Sequence, residues 1–362
     1  MKLIPQGFGD RSPRSPLHVR HILRDGQLIP WTGPVLAVES PLCDPVTGQR
    51  YELGSLPRMD SDAGIKALES AERAFNQGLG EWPSASTAQR IAAVERFIES
   101  MLAVRSEVVD LLMWEIGKPE ADAAKEFDRT VDYLRDTIQS VKEMDRNAIR
   151  FGEDSGFVAQ VRRVPLGVSL IMGPYNYPLN ETFTTLFPAL LMGNTVVFKP
   201  AKYGVLLVAP LLQAFCDSFP PGVVNILFGK GRETVSDIMA SGKISVLSFI
   251  GTNQGANDLK RLHPHSHRLR AVLGLDAKNP GIILADADLN LAVNQTLAGA
   301  LSFNGQRCTA LKIQWVHRSL HDAFAAQLVE GVEQLQWGAP WDPGVKITAL
   351  PEHGKTDYLQ AL

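Results

Sequence analysis

Apolar positions along the chain follow two periods, and the change between them falls near residue 164. Residues 60–81 space Ile65, Leu68, Ala71 and Phe75 three or four apart, on one face of an expected helix. Residues 84–116 carry a second stripe of Ile91, Val94, Phe97, Met101 and Leu102 and read as one continuous helix; a third is expected over 119–144. Upstream, 36–56 alternates short apolar runs with Asp44-Pro45 and Thr47-Gly48, the pattern of strands joined by turns. Residues 1–35 hold scattered prolines without a period and predict irregular chain. Residues 148–166 alternate around Asp154-Ser155-Gly156, which predicts a β-hairpin.

Beyond residue 164 the apolar runs become short and continuous, as in strands buried on both faces. They cover 167–172, 194–198, 222–227 and 244–250, with helical stretches between them. The expected fold class is therefore α/β, a doubly wound parallel sheet. A further strand pair, 270–275 with 281–284, is expected to open a second domain. The resulting division is one domain over 1–272, with a hairpin arm at about 147–166, and a second over 273–362.

Composition narrows the partners. The 362 residues are 45% apolar and 21% charged, with a net charge of −3, as in an ordinary soluble protein. That charge gives no electrostatic reason to expect nucleic acid or an anionic membrane. No apolar stretch is long enough to span a bilayer, and residues 1–16 lack the apolar segment of a secretory signal. Cys43, Cys216 and Cys308 are widely separated, forming neither a disulfide framework nor a zinc-ligand spacing. A reducing, cytoplasmic compartment follows as the expectation. His263-Pro264-His265-Ser266-His267 has a proline and no helical spacing, so a surface loop is expected there and no metal.

Candidate chemistry gathers at strand ends. Gly-x-Gly-x-x-Gly is absent, but Lys199 closes one strand, Gly229-Lys230-Gly231 follows another, and Gly251-Thr252 a third. Each is expected to precede a helix whose free N–H groups favour phosphate, although glycines after strands are also ordinary turns. Downstream, Phe303-Asn304-Gly305-Gln306-Arg307-Cys308-Thr309-Ala310 sets a cysteine beside a glycine and a cation. A neighbouring Arg or a helix N-terminus lowers a thiol pKa toward the reactive thiolate. The alternative is a small buried hydrophobe.

Taken together these residues resemble the aldehyde dehydrogenase superfamily. The likeness rests on Gly173-Pro174-Tyr175-Asn176-Tyr177-Pro178, on Gly193-Asn194-Thr195-Val196-Val197-Phe198-Lys199-Pro200, on Phe249-Ile250-Gly251-Thr252 and on Gly305-Gln306-Arg307-Cys308-Thr309. Glu115-Ile116-Gly117-Lys118-Pro119 and Glu126-Phe127-Asp128-Arg129-Thr130 resemble the non-phosphorylating, NADP-dependent glyceraldehyde-3-phosphate dehydrogenase branch. The resemblance implies Cys308 as nucleophile and Asn176, with the Cys308 backbone N–H, as oxyanion donors. Lys199, Lys202, Gly229, Gly231, Gly251 and Thr252 would face the cofactor. Arg129, Tyr177 and Arg307 match positions that contact the substrate phosphate; otherwise Arg129 is a solvated helix charge. Lys202 stands where NAD-preferring members often carry a glutamate. It can pair with a 2′-phosphate or point to solvent, so NADP is expected, with NAD possible.

Two departures from the family pattern stand out. Where the family reads Glu-Leu-Gly-Gly-Lys, this chain has Leu273-Gly274-Leu275-Asp276-Ala277-Lys278, so Gly274 occupies the position of the general base. Asp276 is the candidate substitute, and deacylation by coenzyme A is another route. Nothing after Thr309 resembles the family's Glu-Ile-Phe-Gly-Pro motif, so a C-terminally truncated relative is expected, without the strand that family members use to form homo-oligomers. A small-molecule aldehyde, with D-glyceraldehyde 3-phosphate favoured, is the expected substrate. The rivals are an impaired relative that keeps nucleotide or subunit binding, and a coenzyme A-acylating semialdehyde dehydrogenase.

Overall fold

The computed structural model describes residues 14–361. Five parallel strands form the central sheet, in the spatial order Val224–Ile226, Thr195–Lys199, Val168–Met172, Ile244–Ile250, Arg270–Gly274. Counted along the chain this is 3-2-1-4-5, the doubly wound order that reverses between the first and fourth strands. The middle strands are buried, as their unbroken Val, Ile and Phe runs require. Behind them an aromatic cluster binds helices to sheet: Phe97 lies 4.5 Å from Phe215 and 4.8 Å from Phe187 between ring centroids.

Arg270–Gly274 departs from the expected pairing. It is the fifth strand of the central sheet, parallel to Ile244–Ile250, so a boundary at 272/273 runs through it. Asn279–Ile283 pairs instead with Leu311–Val316, also parallel. A handful of residues between 270–275 and 281–284 is too few for the crossover that a parallel pair needs. The small sheet packs a second apolar cluster, Ile283, Val293 and Phe324, against the helices Leu289–Leu301 and His321–Glu333.

The N-terminal third is more ordered than its sequence suggests. Residues 1–13 lie outside the described residues, and with them most of the segment read for a secretory signal. Leu17–His18 runs parallel to Arg50–Pro57, and His21–Arg24 forms a hairpin with Gln27–Pro30. Asp25 and Gly26 turn that hairpin with φ of 54° and 69°, the positive pair that an Asp-Gly dipeptide favours. Val35–Cys43 and Arg50–Pro57 pair antiparallel as expected. So do Gly152–Asp154 and Phe157–Ala159, which form an exposed hairpin.

The stretch read as one helix over 84–116 is two, Thr87–Ala103 and Arg105–Ile116, broken at Val104. The stripe Ile91, Val94, Ile98, Met101 would bring Arg105 onto the buried face next. The break turns Arg105 outward, where its guanidinium meets Asp128 at 2.7 Å. Leu102, expected in the stripe, is exposed. A long helix, Glu120–Ala148, follows. The chain later returns over these helices and the strand Arg50–Pro57: Trp341 packs on Trp114 at 4.7 Å, Glu120 N–H donates to Pro340 O, and Arg50 donates to Pro351 O.

Among the described residues no helix is long and apolar enough to cross a membrane, and no cluster of His, Cys, Asp or Glu is arranged to hold a metal. Of the histidines expected on a surface loop, His265 and His267 are exposed, but His263 is buried, its Nε2 3.0 Å from Ile244 O.

Candidate active site

The site lies at the carboxyl ends of the first, second and fourth strands, where the strand order reverses. The first strand feeds the loop 173–179, which carries Asn176 and Tyr177 into the helix Asn180–Leu191. A buried ion pair grips this loop. Lys118 Nζ pairs with Glu126 and donates to Asn176 O at 2.7 Å. The other Glu126 oxygen accepts from the N–H groups of Leu179 and Asn180, both at 3.1 Å, and so caps a helix that has no cap of its own. Burial pushes the Lys118 ammonium down while Glu126 pulls it back up. The ammonium also lies over the rings of Tyr177 and Phe303, at 3.7 and 4.5 Å.

Phe303 opens the turn that presents Cys308. After the helix Leu289–Leu301, Phe303, Asn304 and Gly305 take successive left-handed conformations, φ of 49°, 55° and 71°. A bulky aromatic residue there is a strained outlier, costing on the order of 1–3 kcal/mol. Its surroundings hold it: the Phe303 ring is buried, and Asn304 exchanges hydrogen bonds with Thr348, accepting from its N–H at 2.9 Å. At Gly305 a Cβ would come within 2.8 Å of Ala300 O. Cys308 then emerges exposed, as its polar neighbours predict.

Asn176 Nδ2 donates to Gln306 O at 2.7 Å, which ties the two loops together two residues before the thiol. Its amide has a second N–H to offer. Asn279 Nδ2 donates to Cys308 O at 2.6 Å and anchors the turn from the other side. Arg307 influences the Tyr177 phenol, and Arg129 influences the carboxyl of Glu181 in the first turn of the helix that follows Tyr177. Burial first, then the nearby carboxylates, raise the Tyr177 phenol to about 12 against the opposing pull of Arg307.

Glu181 was not singled out in the sequence. Its Oε1 lies 3.6 Å from Cys308 Sγ. Burial pushes the Cys308 thiol up and the Glu181 carboxylate pushes it further, the opposite of the shift expected from Arg307. Asp276, the candidate base, is engaged elsewhere: its Oδ2 accepts from Asn253 N–H at 3.1 Å. Gly274 ends its strand opposite Ile250.

The three strand ends expected to bind phosphate are unequal. Gly251-Thr252 opens a full helix, Asn253–Leu262, capped by the Thr252 hydroxyl. Gly229-Lys230-Gly231 opens only a four-residue helix, and Lys230 pairs with Glu233 at 3.4 Å, so little dipole is left there for a ligand. Gly229 is required by packing: at φ 100° its Cβ would meet Met59 O at 2.8 Å. Lys199 is buried at the end of its strand, donates to Pro200 O at 2.6 Å, and is held down to about 8 by burial. Lys202 is exposed, with its ammonium 4.7 Å from the Tyr203 ring.

A profile of the aldehyde dehydrogenase family matches residues 35–362. The chain belongs to this family. Among curated aldehyde dehydrogenases, the NADP-dependent glyceraldehyde-3-phosphate dehydrogenase of Streptococcus equinus is 29% identical over 324 residues, covering 88% of this chain and 66% of that protein. Retinal dehydrogenase 2 of Mus musculus is 30% identical over 330 residues, covering 89% and 61%. The crystal structure of NADP-dependent glyceraldehyde-3-phosphate dehydrogenase from Bacillus halodurans C-125 complexed with NADP superposes with a TM-score of 0.85 at 30% identity, covering 96% of this chain and 71% of that one. The chain thus spans 60% to 68% of the length of the curated relatives it matches.

The aldehyde dehydrogenase frame gives the buried carboxylate Glu115 a place as well. It accepts from Val205 N–H at 2.8 Å and Leu206 N–H at 2.9 Å, fastening the chain just past Lys202. Burial pushes its carboxyl from 4.5 up to about 7, against the opposing pull of those N–H groups. A raised carboxyl pKa contributes stability that is complete below pH 4.5 and lost as pH rises through about 7. Glu115→Gln removes that dependence. The stability of wild type minus variant should fall by about 3 kcal/mol between those limits, read from urea midpoints at each pH.

Proposed function

We propose that this chain oxidises an aldehyde to a carboxylic acid with a nicotinamide dinucleotide, NADP favoured, and that D-glyceraldehyde 3-phosphate is its substrate. The observation that carries the reading is the exposed Cys308 turn, bonded through Gln306 O to the Asn176 amide at the switch point of a parallel sheet. The residues fit an anionic cofactor. The N-terminus of Asn253–Leu262 already binds a carboxylate oxygen in the way it would bind a phosphate oxygen. Lys199, Lys202, Gly251 and Thr252 would hold the dinucleotide; Gly229 and Gly231 would shape the strand end beside it. When bound, a nicotinamide supplies the hydride acceptor.

In this reading Cys308 attacks the carbonyl carbon and forms a thiohemiacetal. The second Asn176 N–H and the Cys308 backbone N–H stabilise the oxyanion as charge develops. Loss of hydride leaves a thioester on Cys308, and water releases the acid. Arg129, Arg307 and Tyr177 supply two guanidinium groups and a phenol for the substrate phosphate. NADPH absorbance after rapid mixing with D-glyceraldehyde 3-phosphate tests the reading. If a folded protein that binds NADP forms no NADPH, the second reading holds: a relative that keeps nucleotide binding without turnover, which Gly274 favours.

Lys202 bears on the choice of dinucleotide. Its exposed ammonium supports pairing with a 2′-phosphate, and a carboxylate there would repel one. Lys202→Glu is expected to weaken NADP binding by about tenfold or more relative to NAD, roughly one lost charged contact. Equal effects on both dinucleotides, by fluorescence titration, would remove the argument for NADP.

A further inference from the structure

We propose that Glu181 is the general base for Cys308, taking the thiol proton before attack and a water proton during deacylation. The inference rests on the reading of Cys308 as the nucleophile. Three observations carry it. Glu181 Oε1 lies 3.6 Å from Sγ, within reach of the thiol proton or of a water beside an acyl carbon on that sulfur. The carboxylate sits in the first turn of Asn180–Leu191, a turn anchored by Glu126 and Lys118. The two other candidates are unsuited: Gly274 has no side chain, and the Asp276 carboxylate is bound to Asn253 N–H.

The surroundings suit a proton acceptor. Glu181 is half-buried, and burial favours its protonated form, with the Glu126 carboxylate adding to that preference. Lys118, Arg129 and the Cys308 hydrogen bond oppose it. The Tyr177 phenol feels the same carboxylate. A carboxyl held between these influences can accept a proton and give it up again.

The proton balance closes in two strokes. The Glu181 carboxylate first takes the Sγ proton; the thiolate forms the C–S bond, and Glu181 releases its proton to solvent. In the second stroke Glu181 takes a proton from water as hydroxide adds to the thioester carbon. The C–S bond then breaks with its electron pair on sulfur, regenerating the thiolate and freeing the acid. An ester with a good leaving group requires the same second stroke, with no dinucleotide.

Wild type, Glu181→Gln and Glu181→Asp should therefore be mixed with p-nitrophenyl acetate without cofactor. At a pH high enough for the Cys308 thiolate to form without a base, a burst of p-nitrophenolate in Glu181→Gln should precede a steady rate about 10²-fold below wild type. Intact mass should then show acetyl-enzyme at Cys308. Glu181→Asp should recover part of the steady rate, which a space-filling role would not predict. A parallel reading is the pH profile of Cys308 carboxamidomethylation by iodoacetamide, quantified on its own peptide. Removing the carboxylate removes a like charge from the thiolate, so the profile of Glu181→Gln should move to lower pH. Deacylation at the wild-type rate in Glu181→Gln would overturn the proposal. A wild-type Cys308 that never takes the acetyl group would instead overturn the nucleophile reading, and this inference with it.

Discussion

Cys308→Ala is expected to lower aldehyde oxidation by at least about 10⁴-fold while NADP still binds. Removing a nucleophile abolishes the covalent route entirely, so the residual rate is whatever positioning and oxyanion stabilisation give to direct attack by water. Among the described residues the thiol hydrogen-bonds one side chain, that of Glu181, and it is exposed, so the truncation leaves no cavity and the fold should persist. Stopped-flow absorbance of NADPH, paired with a binding titration on the same protein, separates the two effects. Loss of both together would mean that the Cys308 turn supports the cofactor crevice. Unchanged turnover would end the nucleophile assignment.

Lys118→Met is the second large effect, and it is one of stability as well as activity. The ammonium and its partner Glu126 are both fully buried. Deleting one member strands the other charge, and broken buried pairs cost about 3–5 kcal/mol. The Glu126 carboxylate also bonds Leu179 and Asn180, so it cannot move to water without freeing the start of the helix Asn180–Leu191. The double variant Lys118→Met, Glu126→Gln should be less destabilised than the single one, because no net charge is left inside. Urea denaturation of the three proteins measures both quantities. A single variant within about 1 kcal/mol of wild type would mean that solvent reaches the pair.

Much of the fold was legible because continuous apolar runs have few other uses in a chain of this composition. The strands Val168–Met172, Thr195–Lys199 and Ile244–Ile250 are found where those runs lie. Other elements escaped for identifiable reasons. Asp25-Gly26 is a hairpin signal, but the prolines around it read as irregular chain, and the flanking runs Ile22-Leu23 and Leu28-Ile29 are only two residues each. The break at Val104 follows from the charge of Arg105 on the extrapolated stripe, a test that a list of apolar positions does not apply. Arg270–Gly274 joins the large sheet through partners far away in sequence, which local periodicity cannot display.

For the site, the motif residues were readable one at a time, whereas the connections between them were not. Asn176 and Cys308 are 132 positions apart and meet through the Gln306 carbonyl, a backbone atom that no motif names. Glu181 sits five residues beyond Asn176 in a run, Asn180-Glu181-Thr182-Phe183, that reads only as a helix start. Its importance comes from the way that helix points its first turn at the Cys308 turn. The signal available was the one charged residue of a helix whose Phe183, Leu186, Phe187 and Leu190 are all buried.

The bond between Asn304 and Thr348 has a consequence for the newborn protein. Five strands of the large sheet are complete once residue 274 has been made, and domains commonly fold in that order as they leave the ribosome. The strained turn through Phe303 and Asn304, however, is clasped by a residue synthesised 44 positions later. Until Thr348 arrives, Asn304 lacks the hydrogen bonds that hold its left-handed backbone. The turn ahead of the thiol is therefore expected to set last, after the large sheet has been built.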